Sequence, residues 1–187
     1  SKEEYRRVLD RLNSGIVPGD DRDYSVMTLR CALENFDKSW ELFTGVIMRP
    51  KIDPVEFQNA KERLVIGLRN RFNSPEAYAN YLVDSAFYHG HPYGRFAQES
   101  DVAPITEKAL LDYYTAMFVK SRTFLVVVGD IDSASLHRRV AASLAKLPQG
   151  AYVARPVPPP QNAGKQTLIV RPPYGGGRAV TSYMIAR

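Results

Sequence analysis

Two helix starts written in side-chain chemistry constrain this chain more than any other feature. Asp53-Pro54 and Ser74-Pro75 each set a capping side chain in front of a proline, whose fixed φ and missing N–H suit the first helical position. The first opens a run with Phe57, Ala60, Leu64, Leu68 and Phe72 at helical spacing. The second carries Tyr78, Leu82 and Ala86 and ends at the glycine and proline of residues 88–94. Two helices in direct succession break the strand-helix-strand alternation of a doubly wound parallel sheet, and so argue for an α+β fold.

The remaining elements fit that class. Residues 2–13 form a helix using Tyr5, Val8, Leu9 and Leu12, and the stretch 15–23, rich in Gly, Pro and Asp, is read as a turn. Residues 24–31 alternate two side-chain sets, as a strand does. Asn35 stands as N-cap of a helix whose stripe is Phe36, Trp40, Phe43 and Ile47, with Pro50 at its exit. Thr106 caps another helix, residues 123–128 read as a buried strand ending at Gly129-Asp130, and 132–147 as a further helix. Five prolines between 148 and 160 make 149–166 a linker. Beyond it lie strand candidates at 167–171 and 179–186, joined by a glycine-rich turn at 175–177. The expected architecture is a mainly antiparallel sheet layered with helices.

Composition narrows the function. The longest apolar stretch runs only from Phe124 to Val128, so no segment spans a bilayer as a helix. One cysteine, Cys31, rules out an internal disulfide and a cysteine-rich zinc site. The first residues lack the apolar core of a secretory signal. The formal charge is +5, but 25 basic residues are interspersed with 20 acidic ones rather than gathered in a block, so no nucleic-acid partner is expected. Neither Gly129-Asp130 nor the glycines at 175–177 belong to a phosphate-binding pattern. Ser121, Ser133, Ser135 and Cys31 have no histidine and carboxylate arranged to activate them. Of the three histidines, His89 and His91 share a Gly/Pro loop, which reads as a helix stop and sharp turn, and His137 lies on another helix.

A family resemblance rests on several segments in order. These are Met48-Arg49-Pro50 with Phe57 and Glu62-Arg63, Asn73-Ser74-Pro75, the run 88–94 with His91-Pro92-Tyr93-Gly94, Ile105-Thr106 followed by Leu110 and Tyr113-Tyr114, and residues 126–132 continued by Leu147-Pro148. Together they resemble the pitrilysin/insulinase-type zinc metallopeptidases, or inverzincins. The resemblance implies a processing-peptidase-like metallopeptidase domain in a clamshell of homologous domains, whose chamber binds extended peptides along a sheet edge. It divides the chain into the later part of one such domain (1–148), a proline-rich link (149–166) and the opening strands of the next (167–187).

Active relatives hold zinc with two histidines of an H-x-x-E-H helix, whose glutamate activates the metal-bound water, and with a second glutamate further along. This chain has no H-x-x-E-H. Counted back eight positions from Pro75, the second glutamate would fall at Gly67, and neither Ile66 nor Leu68 can coordinate zinc. A glycine inside a helix implies either close backbone packing or a relaxed demand at a former ligand position. No catalytic, cofactor or metal residue is therefore assigned to this segment, although zinc serves its active relatives. The expected partners are extended peptides and a second homologous domain or subunit, and the family habit points to an exported bacterial protein. The resemblance leaves open an H-x-x-E-H upstream of residue 1, a non-catalytic partner of an active subunit (which Gly67 favours), or a non-enzymatic assembly subunit of the same fold.

Overall fold

A computed structural model describes residues 2–153 together with 156, 157, 159, 169 and 170. The expected strands at 167–171 and 179–186 lie outside the described residues, apart from 169 and 170, and so does the turn at 175–177. The chain divides into two compact units, residues 1–52 with 107–153 and residues 53–106 with 154–187.

The first unit contains helix α1 (Lys2–Arg11), strands β1 (Gly15–Asp20) and β2 (Ser25–Arg30), and helix α2 (Phe36–Met48). The second contains α3 (Pro54–Asn70), α4 (Pro75–Phe87) and the short α5 (Glu99–Val102). The chain then returns to the first unit with α6 (Glu107–Met117) and α7 (Ser133–Ala142). The fold is α+β and helix-rich, and among the described residues the sheet is an antiparallel pair running from Gly15 opposite Arg30 to Asp20 opposite Ser25.

Three local expectations change. The segment read as a turn, 15–23, contains β1. Its Gly and Pro content suggests a turn, but Ile16 and Val17 face Leu29 and Thr28 across a ladder, and an edge strand tolerates Pro18. The helix expected over 132–147 stops at Ala142, where Ser143 leaves helical geometry (φ −120°, ψ −85°), and a 3-10 turn, Leu144–Lys146, follows. Residues 123–128 are neither buried nor in a sheet: Phe124 is 84% exposed and Val128 94%. A β-branched apolar run marks strand propensity, but a strand exists only where a second backbone pairs with it.

The core of the first unit is built on α2. Spacing of three and four residues puts Trp40, Phe43 and Ile47 on one face, where they are buried with Leu147; Met27, Leu29, Phe118 and Val140 pack around them. Polar groups on this helix are satisfied locally. Ser39 Oγ lies 2.8 Å from the Asn35 carbonyl and 2.7 Å from Ser14 Oγ, and Thr44 Oγ1 donates to the Trp40 carbonyl at 2.8 Å. Asn35 occupies the N-cap position, but its amide donates to the Leu12 carbonyl (3.0 Å) rather than capping α2. Tyr114 on α6 donates to the Val46 carbonyl at 3.0 Å, and burial pushes its phenol above the ordinary value.

Both cap-and-proline starts in the second unit form as their chemistry dictates. The Asp53 carboxylate accepts from the N–H groups of Val55 and Glu56, and Ser74 Oγ from that of Ala77. Phe57 and Val102 are buried, while Lys61 Nζ donates to the carbonyls of Ala103 (2.9 Å) and Ile105 (2.8 Å) at the end of α5. Phe72, Tyr78, Tyr81 and Phe96 form an aromatic cluster, with centroids 4.5 Å apart for Phe72 and Tyr81 and 4.8 Å for Tyr81 and Phe96.

Candidate functional site

Gly67 lies on α3, one turn before the helix ends at Asn70. A Cβ built there meets nothing within 4 Å, so close packing does not explain this glycine. The position is open. Glu62, the nearest carboxylate before Gly67 in sequence, lies on the same helix and is exposed.

The histidines are not gathered. His137 is exposed on α7 in the first unit, and His89 is exposed in the second. His91 is buried and holds its own turn: its Nδ1 accepts from the Tyr93 N–H at 3.1 Å, and its ring stands edge-on to Tyr93 with centroids 4.7 Å apart. The turn is tight enough that a Cβ at Gly94 would collide with the Tyr88 carbonyl. This is the hydrogen-bonded loop read from the sequence. Among the described residues no three His, Cys, Asp or Glu side chains come together in a way that could hold a metal ion. Zinc, which the resemblance implies for active relatives, does not fit the side chains of the described residues.

The serines considered as nucleophiles have structural surroundings. Ser135 donates its N–H to the Asp132 carboxylate at 2.7 Å, which caps α7, and Ser121 Oγ accepts from the Tyr152 N–H at 3.2 Å. Cys31 follows directly on β2 as a free, half-buried thiol.

A concave feature lies wholly within the first unit. It is a groove of about 1080 Å³ between β2 and residues 122–131, and the aromatic stripe of α2 lines it. Sequence reading treated that stripe only as closed core and did not foresee the groove. The missed signal was the pairing requirement of the apolar run 124–128, which no neighbouring sequence visibly met.

Comparison with known proteins bears on these features. Residues 104–184 match the family model described as the peptidase M16 inactive domain. Among solved structures, the chain is similar to a peptidase M16 inactive domain from Pseudomonas fluorescens, at 21% identity and a TM-score of 0.74. That match covers 83% of this chain and 39% of the other. It is similar to a protease from Helicobacter pylori at 19% identity and a TM-score of 0.68, covering 84% and 38%. It is also similar to the periplasmic protease PqqL from Escherichia coli at 13% identity and a TM-score of 0.69, covering 87% and 18%. The chain thus spans about two fifths or less of the length of these structures. No curated protein sequence matches it significantly. Among the described residues no helix is long and apolar enough to cross a membrane. Motifs, family model and fold agree on one resemblance: this chain is similar to the M16 peptidases, the pitrilysin/insulinase type, and its residues 104–184 match their inactive domain.

Proposed function

We propose that this chain is a non-catalytic segment of an M16-type peptidase, forming wall and peptide-contacting surface of the chamber while metal and attacking water are held elsewhere. The observation that carries the reading is the match of residues 104–184 to the inactive domain of the family. Gly67 supports it, because a helix position that should offer a carboxylate offers only backbone beside open space. In this reading residues 1–148 are the later part of one peptidase-type domain, 149–166 link it onward, and 167–187 open the next.

The division of labour is physical. A segment without a metal site contributes by shaping and excluding solvent from the chamber, and by offering extended peptide a surface for main-chain pairing and apolar contact. The catalytic centre belongs either to another part of the same protein or to an active partner subunit, and Gly67 favours the partner. An exported, periplasmic setting is part of the proposal and is supported by the similarity to a protease described as periplasmic.

The test is hydrolysis of a mixed library of unstructured peptides, run on this chain and on the protein from its natural source. The reading expects no cleavage by the chain alone, and retention of extended peptides when it is immobilised. Metal-dependent cleavage by the 187-residue chain would overturn it. Stable co-purification with a large complex, with no effect on peptide turnover, would favour a structural assembly subunit instead.

A further inference from the structure

The chain does not leave the first unit where its proline-rich stretch begins. Leu147 is buried in the core, and the residues behind it double back onto Val119 and the 3-10 turn Lys120–Arg122. The Lys120 N–H donates to the Pro148 carbonyl at 2.9 Å, and the Ser121 N–H donates to the Gln149 carbonyl at 3.0 Å. Further on, the Tyr152 N–H donates to Ser121 Oγ at 3.2 Å, and the Arg122 guanidinium stands 4.6 Å from the centroid of the Tyr152 ring. Three consecutive residues, Lys120, Ser121 and Arg122, therefore hold both ends of the run 148–152.

Between those ends lies Gly150. Its φ of +66° is left-handed, and a Cβ there would sit 2.5 Å from Cβ of Val119, a buried residue. Only glycine permits both the turn and the close approach. Val119 is itself extended (φ −128°, ψ 149°), and its carbonyl accepts from Thr123 Oγ1 at 2.8 Å, so the receiving surface is held from its own side. Proline density makes the stretch read as free linker, whereas its one left-handed glycine lets the start of it dock.

We propose that residues 148–152 are a clasp that ends the first unit, so that the link to the next domain begins at Val153 and not at residue 149. The proposal rests on the division into linked domains put forward above, and on nothing concerning metal or peptide. Taking residues 149–152 out of the link removes about 12 Å of extended reach at about 3.1 Å per residue, and fixes the exit point beside the core residue Leu147. The effective concentration of a tethered domain falls steeply with tether length, so the clasp sets how closely the domain opened by residues 167–187 is held. The clasp is slight: two main-chain bonds, one bond to a hydroxyl and one ring contact, with Tyr152 48% exposed. It opens locally while the core stays folded, which makes it a point at which the tether lengthens.

The test is amide hydrogen exchange on the full-length natural protein and on its Gly150→Ala variant. In the unsubstituted protein the Lys120 and Ser121 amides should be slowed by about a hundredfold relative to unstructured chain, and by less than those of Phe43 and Thr44 on α2. In the variant, Lys120 and Ser121 should lose about tenfold or more of that protection while Phe43 and Thr44 keep theirs. Exchange of Lys120 and Ser121 at the unstructured rate in the unsubstituted protein would overturn the proposal, and so would unchanged exchange in the variant. Loss of protection on α2 together with that at Lys120 and Ser121 would overturn it too, because the run would then be part of the core. Zinc content and peptide turnover do not enter the readout, so failure of the clasp and failure of the non-catalytic reading are told apart.

Discussion

Helix α2 and the segment 123–128 both carry large apolar side chains, yet they differ in fate within one unit. Phe43 on α2 is 5% exposed, whereas Val126 is 71% exposed. A helix satisfies its backbone hydrogen bonds internally, so it needs only something apolar to lean on, and α7 and the strand pair provide that. A strand must find a second backbone before burial is affordable, because unpaired N–H and C=O groups resist leaving water. The same hydrophobic drive therefore closes one element and leaves the other waiting.

Four substitutions sharpen this contrast. The largest effect is expected for Trp40→Ala, which empties the centre of the α2 stripe and removes the Nε1–H bond to Ser143 Oγ; it should cost about 3–5 kcal/mol in chemical denaturation. Loss of less than about 1 kcal/mol would mean that the core is not centred on this helix.

Tyr114→Phe should cost about 1 kcal/mol by removing the bond to the Val46 carbonyl. It also carries a pH signature. The folded phenol titrates above the unfolded one because burial disfavours its charge, so the neutral form stabilises the fold below the unfolded value of 10.0 and that contribution is lost as pH rises through the higher folded value. The wild-type chain should lose stability at alkaline pH more steeply than Tyr114→Phe, and superimposable profiles above pH about 10 would contradict the burial.

Gly67→Ala should gain up to about 1 kcal/mol, read as a higher melting temperature, because α3 has open space there and alanine is the better helix former. A loss would mean that something packs on that face. The smallest effect belongs to Val126→Ser, which should shift the stability of the 187-residue chain by no more than about 0.5 kcal/mol because the side chain is already wet. A loss of more than about 2 kcal/mol would mean that Val126 is buried, and would remove the distinction between α2 and 123–128.

What the sequence made legible follows the same division. Asp53 and Ser74 announce their helices because capping is local chemistry between residues two or three apart. The Phe36–Trp40–Phe43–Ile47 stripe is legible as core because helical periodicity records which face is buried. β1 was hidden because Gly15, Pro18 and Gly19 speak for a turn, and only the opposing strand makes them an edge. Residues 123–128 were readable as strand-forming but not as unpaired, since pairing is a property of two segments. The helix position of Gly67 was legible by counting from Pro75; that nothing crowds it needed coordinates.

The central claim is that this segment supplies fold and surface rather than a metal centre. Its most direct test is the zinc bound per chain, measured by atomic absorption after equilibration with zinc and removal of the excess. The account predicts far less than one zinc per chain. One zinc retained per chain, and lost when His89 or His91 is replaced by alanine, would contradict it.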